Sequence, residues 1–283
     1  MPSPAPASPR GRVVLPGALS PLTADLVRGP RRPYTVVGVF RAGAYLATVD
    51  RVLPLLAHDA VALPGALRLA EPADRLDLGV RAGDVVVGGA GSLHLPGVTV
   101  RGVRTWRPAR VRRAPAVPRL APDERLRALL AEASSAGSRW LLPAVRAALV
   151  APLPTEAVRH LVGRGEGLTP SGDDALAGAL LARRALGLAP GATAGGRDPL
   201  ALAVRDRLRA TTAVSASLLA AALDGWTTPE VAALVGALAR GDADATRSAL
   251  PSVLAVGHTS GRDLVTGVRA VLDTVASTGR TAA

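Results

Sequence analysis

The chain has 283 residues, enough to bury a substantial core in one large domain or two modest ones. Cysteine is absent, which excludes a disulfide framework and any cysteine-ligated metal, and no apolar run reaches the roughly 18 residues a membrane helix needs. The formal charge is +12, but aromatics are only 2%, every basic residue is arginine, and the arginine excess fits a composition biased toward alanine and glycine.

Few aromatics leave few platforms for stacking bases, so nucleic acid is not expected as a partner. A small anionic substrate or an acidic partner protein suits the charge equally well.

In chain order, residues 1–12 are proline-rich without apolar periodicity and are expected to be a disordered tail. The run Val13 to Leu19 is too short and too interrupted for a signal segment, so a cytoplasmic protein without a membrane anchor is expected. Residues 13–106 form a β-rich domain, read as a small sandwich or barrel. Its strands are expected at Tyr34 to Phe40, Ala44 to Val49, Ala60 to Leu63, Asp84 to Val87 and Val98 to Val103, valine-rich runs bounded by Gly, Pro or Asp. Gly88 to Ser92 lacks the Lys-Ser/Thr ending of a phosphate loop and no helical pattern follows it, so a hairpin turn is expected there. His58 and His94 read as solvated or structural. Residues 107–122 alternate arginine with proline and small residues, the composition of a solvated linker.

From 123 to 283 the pattern is helical, which makes the whole an α+β chain with an all-helical C-terminal domain. Leu126, Leu129, Leu130 and Ala133 line one face; Thr155 to Val162 gives a short helix; Asp198-Pro199 and Thr228-Pro229 each place a capping side chain before a first-turn proline. Pro143 and Pro251 are expected to bend or split their helices. No strand is followed by G-x-G-x-x-G, which argues against a dinucleotide-binding sheet.

The stretch with most chemistry is Gly163-Arg164-Gly165-Glu166-Gly167-Leu168-Thr169-Pro170-Ser171-Gly172-Asp173-Asp174. Three glycines permit a tight loop, and a helix is expected from Ser171, with Ser171 and Asp174 as a capping box and Gly187 at the far end. Unpaired amides at such a helix start attract anions. The alternative is that the adjacent carboxylates of Asp173 and Asp174 hold a Mg2+ ion that bridges to one. A second copy follows: Ser171, Gly172, Asp174 and Gly178 recur as Ser260, Gly261, Asp263 and Gly267, the pattern S-G-x-D-x-x-x-G offset by 89 residues, 171 to 260. In each copy Asp and the later Gly lie four apart on one helix face, so the glycine admits another backbone below the carboxylate. The two starts are expected to open on one cleft, with Asp174 and Asp263 as caps.

Between the copies, the hydroxyls of Thr211 and Ser215 fall on one helix face, beside Thr212. They either extend a polar pocket or bond back to their own carbonyls. His258 is the one histidine inside a motif, placed either as a turn residue or as a general acid.

These segments, Gly-x-Gly-x-Gly-Leu-Thr-Pro-Ser-Gly-Asp-Asp at 163–174, Thr211-Thr212-Ala213-Val214-Ser215, and Gly257-His258-Thr259-Ser260-Gly261-x-Asp263, resemble the three signature segments of the AllH-like family. That family is named for a subunit of oxamate carbamoyltransferase in allantoin breakdown. The resemblance implies partner subunits and a reaction in which phosphate cleaves oxalurate to oxamate and carbamoyl phosphate. Asp173 and His258 are then the candidate catalytic groups. Gly165, Gly167, Thr169, Ser171 and Gly172 from the first segment, Thr212 and Ser215 from the second, and Thr259, Ser260 and Gly261 from the third are the candidate anion ligands. A non-catalytic subunit of such a complex, or a transferase for another ureido acid, is the alternative.

Overall fold

The computed structural model describes residues 13–112, 124–134, 139–188 and 198–281; the expected N-terminal tail and most of the expected linker lie outside these. The chain divides into two compact units between Arg107 and Pro108.

In the first unit, strands β1 (Val13–Leu19), β2 (Arg32–Phe40), β3 (Gly43–Ala47), β4 (Val52–Leu56), β5 (Leu67–Leu69), β6 (Val85–Gly89), β7 (Ser92–Leu95) and β8 (Val98–Thr105) close into a barrel, with a short helix α1 (Ala24–Arg28) between β1 and β2. The order around the barrel is β1-β5-β4-β3-β2-β6-β7-β8. The β1–β8 and β4–β5 pairs are parallel and the rest antiparallel. Closure leaves no open sheet edge, and Tyr34, Leu46, Leu53, Leu67, Leu93 and Leu95 fill the interior. Gly88 to Ser92 forms the expected hairpin. Gly89 pairs with Ser92, and Ala90 and Gly91 between them both have positive φ, 51° and 85°, as a two-residue primed turn requires.

The run Ala60 to Leu63 is not a strand; the chain there is turn and coil between β4 and β5. The proline in Val52-Leu53-Pro54-Leu55-Leu56 lies inside β4. It is tolerated because β5 meets β4 only at Leu55 and Leu56, so Pro54 has a ladder partner, Tyr45, on one side alone.

The second unit holds α2 (Glu124–Ala133), α3 (Leu141–Val150), α4 (Thr155–Arg159), α5 (Ser171–Ala185), α6 (Pro199–Asp206), α7 (Ala213–Leu223), α8 (Pro229–Ala239), α9 (Ala243–Leu254) and α10 (Ser260–Thr281). A two-stranded ribbon, β9 (Ala109–Arg110) with β10 (Trp226–Thr227), joins them. Over the described residues 107–112, the ribbon corrects the reading of a solvated connector. Val111 is buried, its N–H donates to the Gly225 carbonyl at 2.8 Å, and its carbonyl accepts from the Arg184 guanidinium at 2.9 Å.

Local signals set most helix ends. Asp198 accepts from the Leu200 amide and Thr228 from the Val231 amide, each just before a first-turn proline. At Gly187 (φ 68°) the pair Gly187 N–H to Arg184 O and Leu188 N–H to Arg183 O closes a Schellman motif. Pro143 sits in the first turn of α3, where no hydrogen bond is lost, and α9 continues through Pro251 for three residues before ending, so neither proline splits a helix. Helix α5 is buried along nearly its whole length and packs against α10, α7, α3 and α8. Its small residues make that possible. Among the described residues no helix is long and apolar enough to cross a membrane.

Candidate functional site

Helix α5 starts at Ser171 as expected, but the capping box does not form. Pro170 occupies the N-cap, with no side-chain cap bond. Proline at that position extends the chain (φ −53°, ψ 140°), and its carbonyl receives the first helical amides, those of Asp173 and Asp174. The two carboxylates are thereby released from capping and point elsewhere.

Asp173 is 1% exposed and ties three segments together. One carboxylate oxygen accepts the Gly163 amide at 2.9 Å; the other accepts the Ser215 hydroxyl at 2.7 Å and the Thr211 hydroxyl. Thr212 caps α7, its hydroxyl oxygen accepting the Ser215 amide at 3.1 Å while its O–H donates to the Leu168 carbonyl. The middle segment therefore meets the first one through Asp173 and Leu168.

The glycine loop is clamped at both ends and open between. Gly163, Gly165 and Gly167 take φ of 74°, 132° and 79°, angles costly for other residues. A Cβ on Gly165 would lie 2.4 Å from the Ser171 nitrogen. Arg164 lays its guanidinium 4.0 Å from the centre of the Trp140 ring, and its carbonyl accepts the Gly172 amide at 2.9 Å. Residues 164 to 168 are exposed.

The third segment joins from α10. Thr169 and Ser260 share a hydroxyl–hydroxyl hydrogen bond of 3.0 Å. Below it the two motif helices cross with backbones in contact. A Cβ on Gly178 would stand 2.1 Å from the Leu264 carbonyl oxygen, and one on Gly267 would stand 1.9 Å from the Ala175 carbonyl oxygen. Gly172 and Gly261, at the helix starts, fit equally tightly against the carbonyls of Leu161 and Val253. Thus all four glycines of the repeated pattern serve close approach.

That crossing leaves Asp174 beside Ser260, Thr169 and Asp263. Burial pushes the Asp174 carboxyl well above the usual carboxylate range; the Ser260 hydrogen bond opposes this, the Asp263 and Asp173 charges add to it, and Thr169 opposes it. Asp174 Oδ2 and both oxygens of Asp263 are buried with no hydrogen-bond partner among the described residues. Asp263 is therefore no cap. Gly257 has φ 62°, and His258 and Thr259, which follow it in the turn, are exposed. Nothing buries or partners His258 here among the described residues. No group of three His, Asp or Glu side chains comes together as a metal site among the described residues, and both oxygens of Asp173 are already engaged.

Sequence reasoning passed over Trp140 and the carbonyls of Leu161 and Val253. Trp140 is one of only three tryptophans, and that rarity was its one visible signal.

Residues 161–272 match the family model described as oxamate carbamoyltransferase subunit AllH. No solved structure matches the chain significantly. The AllH match runs from Leu161, whose carbonyl meets Gly172, to Leu272 in α10. It takes in the glycine loop, Asp173, Thr211, Ser215, Ser260, Asp263 and both crossing glycines. The eight-stranded barrel lies outside it.

Proposed function

We propose that the chain is a subunit of a carbamoyltransferase complex acting on oxamate or oxalurate, and that its ligand binds where the starts of α5 and α10 meet. The observation that carries this is the coincidence of the AllH match with the segment that builds the site. In the reaction, a phosphate oxygen attacks the ureido carbonyl carbon of oxalurate. The C–N bond to oxamate breaks, and the leaving nitrogen takes up a proton. Such a step needs donors aimed at developing negative charge. The exposed loop of Gly165, Gly167 and Thr169 with Ser171 and Gly172, and the turn of Thr259, Ser260 and Gly261, would offer backbone amides and hydroxyls for phosphate and carboxylate. His258, exposed at the rim, would deliver the proton. Asp173, Thr212 and Ser215 would act by holding the loop. The complex would work in the cytoplasm as part of purine catabolism.

One observation favours a second reading, a subunit that supports the complex without performing chemistry: the Asp173 carboxylate is fully used in structural hydrogen bonds. Coexpression with its partner subunits, followed by assay of carbamoyl phosphate plus oxamate in the direction of oxalurate, separates the two. His258→Gln and Thr169→Val should leave the complex assembled and lower turnover at least tenfold. Unchanged turnover in both would favour the supporting role, and no turnover by any assembled complex would overturn the carbamoyl reading.

A further inference from the structure

Two carboxylates from different helices, Asp174 and Asp263, come together under the Thr169–Ser260 hydroxyl pair, and three of their four oxygens have no partner among the described residues. Asp263 is 1% exposed and Asp174 9%. Neither forms an ion pair with an arginine or histidine among the described residues. They cannot drift apart, because the helices that carry them touch backbone to backbone one turn further on, at Gly178 and Gly267. Unmatched buried carboxylates are expensive to keep charged, so such a pair is met in proteins with a positive charge or a proton between its members.

We propose that Asp174 and Asp263, with the Thr169 and Ser260 hydroxyls, bind a hard divalent cation of the Mg2+ class. All the groups concerned are oxygens, the donor type such ions select, and Mg2+ commonly takes one or two carboxylates and completes its shell with water. The ion would enter from the side of the exposed loop residues 164–168 and the turn 257–259. This site differs from one built on the adjacent pair Asp173 and Asp174, since Asp173 is occupied by the Gly163 amide and two hydroxyls. Burial that pushes the Asp174 carboxyl up is what the ion would counteract. The inference concerns the chain alone and stands apart from the carbamoyl reading.

The test is thermal unfolding of the full chain after chelation, with MgCl2, MnCl2 or CaCl2 added at millimolar levels against NaCl of equal ionic strength. A site filled to a hundredfold excess over its dissociation constant should raise the midpoint by about 5 to 10 °C. Asp263→Asn and Asp174→Asn should each abolish the rise. Because either variant could unfold, water-proton relaxation with Mn2+ on the unmutated chain gives a second readout, and competition by Mg2+ should reverse it. No shift with any of the three ions together with no bound Mn2+, or a full shift retained in a folded Asp174→Asn, Asp263→Asn double variant, overturns the proposal.

Discussion

Gly178 faces the carbonyl of Leu264 so closely that a single methyl there would stand 2.1 Å from its oxygen. Helix propensity alone favours alanine over glycine by about 1 kcal/mol, so a solvent-facing Gly178→Ala would stabilise. Here the clash is with backbone and must push two helices apart. The expected result is a net loss of about 3 kcal/mol in urea unfolding, and a similar loss for Gly267→Ala, whose methyl would meet the Ala175 carbonyl. The double variant should lose clearly less than the two losses added, because one separation of α5 from α10 relieves both clashes.

Asp173 should matter to folding more than its acidic chemistry suggests. Asp173→Ala strands a part-buried amide and two hydroxyls and should cost about 3 to 5 kcal/mol; Asp173→Asn keeps one acceptor oxygen and should cost about 1.5 to 3 kcal/mol. Ser215→Ala should cost about 1 to 2 kcal/mol, and a cycle with Asp173→Asn should show coupling between them. Additive losses would mean that the Ser215 hydroxyl does not bond to the Asp173 carboxylate.

The Arg164–Trp140 stack should be measurable as a coupling of about 0.5 to 1 kcal/mol in a double-mutant cycle of Arg164→Ala with Trp140→Leu. Arg164→Lys should retain only part of it, because an ammonium cannot stack as a plane does. A change in tryptophan emission on Arg164→Ala, lost in the Trp140→Leu background, gives an independent readout.

In the barrel, Ala90 holds φ 51°, unusual for a residue with a Cβ, at the first position of the β6–β7 turn. Ala90→Asn creates the Asn-Gly pair that such turns prefer and should raise stability by about 0.5 to 1 kcal/mol. Equilibrium unfolding followed by a probe specific to the barrel would check it.

Features decided within a few residues were legible in the sequence. The caps at Asp198 and Thr228, the Schellman end at Gly187 and the Ala90-Gly91 hairpin all follow from residue types at fixed local spacing. The repeated glycines also spoke correctly, since a glycine four residues after a motif acid has little reason other than backbone contact. Two adjacent acids, by contrast, could not be told apart. Consecutive helical side chains point about 100° apart, so Asp173 turns to Gly163, Thr211 and Ser215 while Asp174 turns to Ser260 and Asp263. Which of them caps, if either, depends on segments up to 89 positions away, from Asp174 to Asp263. Pro170 took the N-cap place itself and removed the capping box. Strand β4 was hidden for a similar reason: Pro54 is acceptable only because of where β5 happens to begin.

Exchange the roles of α5 and α10 and the crossing looks the same: Gly178 on Leu264 becomes Gly267 on Ala175, each pair mapped onto the other by the 89-residue offset. A local dyad of this sort is blind to direction. Under the proposed function, an unsymmetrical ligand lying across it would take its polarity from positions where the copies disagree, three of them at or just before the helix starts. Thr169 corresponds to His258, Asp173 to Arg262, and Pro170 to Thr259. One side thus carries a buried carboxylate and a hydroxyl, the other an exposed guanidinium and an imidazole. Exchanging Thr169 with His258 would redirect such a molecule end for end, whereas altering the shared glycines would destroy the axis on which it turns.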